Sequence, residues 1–288
     1  MIFADDLGNP EGPVLVPDGS WVVAEMHLDR GCLTHISADG KQKRVIAKTG
    51  RPNGITIDKN GMLWVVESMN PPSLLKVSLD GKVDVVLTEC EGKPFLFPND
   101  LCFGPDGAIY MTDSGYSCAE WITFTPEKKK ATAPDGKVFR IDPESRTIKK
   151  LDGNILFANG IAFGLDKQLY VTETLTGMIY RYPWQDGKIG KREDFANVLD
   201  PEKEGAFRGP DGIAFGKNGN LYAAVVWQGD ITVLNPEGHL VQRIPTVGPG
   251  PTNVAFGPPG SKKLYVTDQG IGQFEVFDVD TDGLPLFS

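Results

Sequence analysis

The sequence predicts an all-β fold: a six-bladed β-propeller with four strands per blade, its ring closed by the N-terminal strand, as one domain over residues 1–288. Three observations predict it. One motif recurs six times, its copies use up the chain, and tight-turn dipeptides recur inside it while no segment shows a helical period. The clearest copy is residues 98–114, PNDLCFGPDGAIYMTDS, and its relatives begin at Pro10, Pro52, Ala158, Pro210 and Pro251. Start-to-start spacings are 42, 46, 60, 52 and 41 residues, and wrapping from Pro251 back to Pro10 adds 47. Units of that length, each with four short strands, are the signature of propeller blades. A doubly wound α/β fold is excluded.

Each unit opens with two strands joined by a turn. Asp18-Gly19, Asn60-Gly61, Asp106-Gly107 and Asn218-Gly219 supply the positive φ that hairpin turns require. A third strand follows at 33–37, 74–78, 138–142, 179–182, 231–235 and 274–279, and a weaker fourth at, for example, 82–88 and 240–245. Residues 3–7, FADDL, resemble 195–199, FANVL, the outer strand of the fourth unit. The N-terminus is therefore expected to supply the outer strand of the last blade over residues 2–7, which removes exposed sheet edges.

Composition narrows the class of function. With 29 Lys and Arg against 38 Asp and Glu, the formal charge is −9, which argues against nucleic-acid or anionic-membrane partners. The one basic run, Lys128-Lys129-Lys130, reads as a solvated surface. No 18-residue apolar run predicts a membrane helix, and the N-terminus lacks the basic and apolar regions of a signal peptide. Cys32, Cys90, Cys102 and Cys118 show neither CxxC spacing nor disulfide density, so a cytoplasmic location is expected. The state expected is a monomer or weak homo-oligomer.

The residue just before each innermost strand should lie at the channel mouth. That position holds Glu11, Asn53, Asn99, Asn159, Asp211 and Thr252, all with side-chain oxygen. Asn and Asp also form turns, which leaves a structural reading open, but Glu does not. The chemical reading is a ring of hard oxygen ligands around one divalent cation, Ca2+ first and Mg2+, Mn2+ or Zn2+ as substitutes. The end of the second strand carries Glu25, Glu67, Asp113, Glu173, Val225 and Asp268. These either cap strand ends or orient the first ring from behind, and the two roles are compatible. So many carboxylates at one mouth would repel each other without a cation. There is no GxSxG, HExxH or GxxxxGK[ST] motif, and His27, His35 and His239 stand outside both rings. Residues 278–283, DVDTDG, copy the start of an EF-hand loop but end too close to the C-terminus, and read as a hairpin turn.

Four blade starts, Pro10-Glu11-Gly12-Pro13, Pro98-Asn99-Asp100, Ala158-Asn159-Gly160-Ile161-Ala162 and Pro210-Asp211-Gly212-Ile213, resemble in order those of the gluconolactonase/regucalcin (senescence-marker-protein) family. The likeness runs over nearly the whole chain. It implies that Glu11, Asn159 and Asp211 bind one divalent metal and that Asn99 contacts the metal or substrate. It also implies hydrolysis of sugar lactones or related small esters, with Asp211 as general base and Asn99 orienting the carbonyl. The partner implied is a small-molecule lactone. One departure stands out: where sugar-lactone members have an Arg two residues before the third-unit Asn, this chain has Phe97. An insertion, 115–135, carries Tyr116, Trp121 and Phe124 and is long enough for a lid. Phe97, Asn99 and Trp121 are thus the expected substrate contacts, and lightly hydroxylated γ- or δ-lactones the expected preference. The rival reading is a propeller that binds a ligand or protein without catalysis; a lyase or phosphotriesterase on the same scaffold is a second.

Overall fold

A computed structural model describes residues 1–205 and 207–288. It contains six four-stranded antiparallel sheets arranged as blades. The innermost strands are Pro10–Leu15, Pro52–Ile57, Pro98–Phe103, Ala158–Phe163, Gly209–Phe215 and Pro251–Phe256. Blades are numbered 1 to 6 in that order. In blades 1, 2, 3 and 5 the innermost strand pairs with the next strand through the predicted tight turn, where Gly61 and Gly107 adopt φ of +77° and +72°; in blade 4 Lys167, at +59°, takes the glycine's place.

The ring closes as expected, over a shorter stretch. Ile2–Ala4 is the outer strand of blade 6, with Ile2 opposite Glu275 and Ala4 opposite Phe274. Beyond it, among the described residues, the Leu7 amide alone continues the pairing, donating to Gly272 O at 3.0 Å. Alternating strand residues bury aliphatic side chains between neighbouring blades. Val22, Leu33, Leu63, Val65 and Val77 are fully buried between blades 1 and 2, each worth roughly 1.5–3 kcal/mol for leaving water. Outer strands such as Val83–Leu87 stay largely exposed.

One irregularity recurs in all six blades. The register of the innermost strand against its partner shifts just inside the mouth, between Glu11 and Val14, Pro52 and Ile55, Pro98 and Leu101, Ala158 and Ile161, Pro210 and Ile213, and Pro251 and Asn253. Such bulges bend a strand and re-aim its side chains.

Two sequence readings change here. The insertion holds two short helices, Cys118–Trp121 and Pro126–Lys130. Each is too short to leave a period, although Thr125 caps the second by accepting the Lys128 amide, with Pro126 at its first turn. Residues 278–283 do not form a hairpin. The strand Gln273–Asp278 ends, and the tail crosses to blade 5, where Gly283 bridges Gly216. Asp282 accepts the Gly260 and Lys262 amides, so its carboxylate secures a crossing. Among the described residues no helix is long and apolar enough to cross a membrane.

Candidate active site

The bulges turn all six mouth residues onto the wall of one cavity of about 200 Å³. Glu11, Asn53, Asn99, Asn159, Asp211 and Thr252 are each buried there. Their neighbours one residue on form the floor: Gly12, Gly54, Asp100, Gly160, Gly212 and Asn253. Four glycines leave space at the axis, and the two side chains fill it. A Cβ on Gly54 would collide with Asp100, and one on Gly212 with Asn253. Asn253 Nδ2 donates to Glu11 Oε2 at 3.0 Å and lies 3.5 Å from Asp100 Oδ2, so the floor is a hydrogen-bonded septum.

Hydroxyls brace the ring. Ser114 Oγ accepts from Asn99 Nδ2 at 2.9 Å and donates to Ala158 O of the next blade. Thr174 repeats this, accepting from Asn159 Nδ2 at 3.1 Å and donating to Pro210 O. The Asn159 amide is thereby oriented with its nitrogen engaged, and its Oδ1 is buried with no hydrogen-bond partner. An orphaned amide oxygen beside two buried carboxylates is a donor set for a hard cation. No three His, Cys, Asp or Glu side chains converge as a metal cluster among the described residues. The set rests instead on Glu11 and Asp211 with amide oxygens.

Charge at this site is strained. Burial, with the Asp100 charge beside it, pushes the Glu11 carboxyl well above its ordinary value. Burial and then the charges of Glu11 and Asp100 do the same to Asp211, and burial raises Asp100. Carboxylates that resist ionising because they are dry and crowded are relieved by a cation.

The second predicted ring lies off the cavity wall and secures the loops that lead into it. Glu25 accepts the Gly8 amide and the Thr34 hydroxyl. Asp113 accepts the Leu96, Phe97 and Gly115 amides. Glu173 accepts the Leu156 amide and the Tyr180 hydroxyl. Asp268 accepts the Gly250 and Gly270 amides, and burial followed by the Glu275 charge pushes it up to about 6.

Residues 73–269 match the family model described as the SMP-30/Gluconolactonase/LRE-like region. The chain belongs to that family. This SMP-30/gluconolactonase family member is 26% identical over 286 residues to a gluconolactonase of Zymomonas mobilis, across 92% of this chain and 78% of the relative. Its fold is shared with a gluconolactonase structure from Xanthomonas campestris, at a TM-score of 0.77 and 24% identity, covering 96% and 88% of the two chains. It is shared too with the calcium-binding protein regucalcin from Agrobacterium tumefaciens, at a TM-score of 0.78 and 19% identity, covering 100% and 99%.

Over the SMP-30/gluconolactonase ring, the insertion packs as a roof. Trp121 stacks on Phe157 at 4.3 Å, and Phe97 meets Phe157 edge-on at 5.5 Å. With Cys118 they form a buried apolar cluster, and Phe97, Trp121 and Phe157 reach the cavity wall. Lys129 corrects the solvated reading of the basic run, because the second short helix turns it inward. It lines the cavity with its ammonium 5.5 Å from the Trp121 and Phe207 rings.

The sequence reading missed Arg51, Lys129, Asp100, Asn253 and the bracing hydroxyls. Three of these left a trace. Arg51 stands two residues before Asn53, the same offset as Phe97 from Asn99, so a guanidinium reaches this cavity from blade 2 and not from blade 3. Asp100 and Asn253 interrupt a position that is glycine in the other four units. Lys129 left none, since only the insertion's fold decides which lysine of three faces inward.

Proposed function

We propose that this chain is a divalent-metal-dependent hydrolase of small lactones. The observation that carries the reading is the buried, unpartnered Asn159 Oδ1 on the same wall as two carboxylates that burial leaves short of counter-charge. Glu11, Asn159 and Asp211, with Asn99 beside them, would hold the ion, and an all-oxygen set suits Ca2+. Such an ion supplies Lewis acidity for an ester carbonyl and makes a nearby water more acidic. Family membership supports lactone hydrolysis, and the name of the Zymomonas mobilis relative supports it further.

The chain's own residues then have distinct roles. Asp211 takes the proton from the attacking water. Asn99, braced by Ser114, orients the lactone carbonyl. Asn253 holds Glu11 in place, and the Asp100–Asn253 septum closes the floor. The roof of Trp121 and Phe157 limits entry of bulk water. The apolar side formed by Phe97, Phe157 and Trp121 offers ring hydroxyls no hydrogen-bonding group beyond the Trp121 indole N–H. Each hydroxyl buried there without a partner would cost roughly 1–3 kcal/mol. Lightly hydroxylated γ- or δ-lactones are therefore the preferred substrates.

The test is metal analysis of purified protein followed by a lactone panel, including γ-valerolactone and gluconolactone, with and without added Ca2+ after chelation. We expect one divalent ion per chain and activity that returns with the ion. Full turnover after complete chelation would overturn the metal dependence. Faster turnover of gluconolactone than of γ-valerolactone would overturn the preference.

A further inference from the structure

Two cations face the candidate cavity and take no part in the oxygen ring. Arg51 enters from the loop before the innermost strand of blade 2, where its backbone amide donates to Glu67 Oε1 at 2.7 Å. Its side chain is 8% exposed and lies over the Phe97 ring at 5.4 Å. Its Nη1 is buried with no hydrogen-bond partner. Lys129 approaches from the roof, over Trp121 and Phe207. Among the described residues neither has a carboxylate within 4.0 Å.

A buried guanidinium with an idle donor is costly unless something supplies the lone pairs. The ring carboxylates do not supply them. Glu11 and Asp211 feel the Arg51 charge but lie beyond ion-pair distance, and a divalent ion between them would cancel their two charges. Arg51 and Lys129 then face the cavity with no carboxylate at ion-pair distance among the described residues. Burial, and next the Arg51 charge, hold the Lys129 ammonium below its usual value, against a smaller opposing effect of the Cys118 thiol. The planar fork of an arginine matches a carboxylate in a way that a hydroxyl cannot.

We propose that the lactone this site takes carries a carboxylate, with its ring against the Phe97–Phe157 wall and its anionic group held by Arg51 and covered by Lys129. This rests on the lactone-hydrolase reading and narrows it to acidic lactones. The reaction balances without a further reagent. Water adds its oxygen to the acyl carbon, the ring C–O bond breaks, and the ring oxygen leaves as a hydroxyl. The new carboxylic acid ionises with release of one proton, so the product is a hydroxy dicarboxylate.

The test uses a matched pair: γ-butyrolactone and 5-oxotetrahydrofuran-2-carboxylate, assayed by proton release with the Ca2+-loaded protein. The variants are Arg51→Met and Lys129→Met, and circular dichroism checks their folding. Comparing the acid-to-neutral ratio of kcat/KM between wild type and variant cancels the intrinsic reactivity of the two esters. We expect that ratio to fall about tenfold or more in Arg51→Met and about threefold in Lys129→Met. Lys129 sits on the roof, so its variant keeps the test open if Arg51→Met does not fold. In parallel, tetrahydrofuran-2-carboxylate, which has no ester, is titrated by calorimetry against tetrahydrofurfuryl alcohol, and Arg51→Met should weaken only the acid. Hydrolysis of both lactones at a ratio indifferent to both variants would overturn the anion site and leave the lactonase reading standing. No hydrolysis of either lactone, with the acid still bound through Arg51, would overturn the lactonase reading and leave the anion site standing.

Discussion

The two ends of the central channel are built by the same six strands and have opposite chemistry. At one end stand Glu11, Asn53, Asn99, Asn159, Asp211 and Thr252 around about 200 Å³. Four residues further along each strand come Leu15, Ile57, Phe103, Phe163, Phe215 and Phe256, which line a chamber of about 340 Å³ at the other end. Between the two lies the Asp100–Asn253 septum. Each end has its own cover. The insertion roofs the polar end, and the C-terminal tail crosses the apolar end with Leu284 and Phe287 packed against blades 5, 4 and 3. The difference teaches that the scaffold is neutral about chemistry. A bulge at one end aims oxygen atoms at the axis, and regular pairing at the other aims rings and branched chains.

If that division is right, changes at the two ends should have different readouts. The largest effect is expected at the polar end. Asp211→Ala or Glu11→Ala should cut turnover on the order of 10³-fold, the scale set by removing a group that stabilises charge in a dry site. Bound metal should fall with it, and either variant retaining wild-type turnover would erase the distinction between the ends.

Truncation at the apolar end should strike stability. Phe103→Ala removes a buried ring that contacts Trp64, and should cost about 3–5 kcal/mol in denaturant unfolding. Its kcat/KM for γ-valerolactone should stay within about twofold, since the septum separates it from the site. A large kinetic effect would mean that the ends are coupled.

Chelation exposes the polar end by its pH dependence. Burial raises the Glu11 carboxyl from 4.5 to about 8, so in this window the folded chain binds more protons than the unfolded one. Stability of the metal-free protein should therefore decline as pH rises from about 5 to about 8. Saturating Ca2+ should flatten that decline, because a bound cation favours the ionised carboxyls. Melting curves at several pH values with and without the ion check this, and a metal-free Tm that rose across the window would contradict the sign.

The smallest effect belongs to a brace. Ser114→Ala removes the partner of Asn99 Nδ2 and should lower kcat/KM about fivefold, the scale of one neutral hydrogen bond. Stability should fall by about 1–3 kcal/mol, because Ser114 is buried and also donates to Ala158 O, and an unchanged kcat/KM would show that Asn99 needs no such support.

The sequence by itself determined the blade count, the closing strand and the six mouth residues. Each of these repeats at a regular position, and repetition turns a weak local signal into a readable one. The family also followed from order, since four blade starts carry their residues in sequence. What only the tertiary structure decided are features without repetition. Arg51 on a loop of blade 2 and Lys129 on the insertion reach one cavity, and Asn253 of the last blade reaches Glu11 on its wall, all from distant parts of the chain. Phe97 was legible as a missing arginine and Arg51 as the same offset in blade 2, but only the fold shows that its guanidinium enters the cavity. The physical reason is that a propeller brings equivalent positions of six blades within reach of one point. A residue absent from one blade can be supplied by another, and an offset along the chain marks the candidate without showing that its side chain reaches the axis.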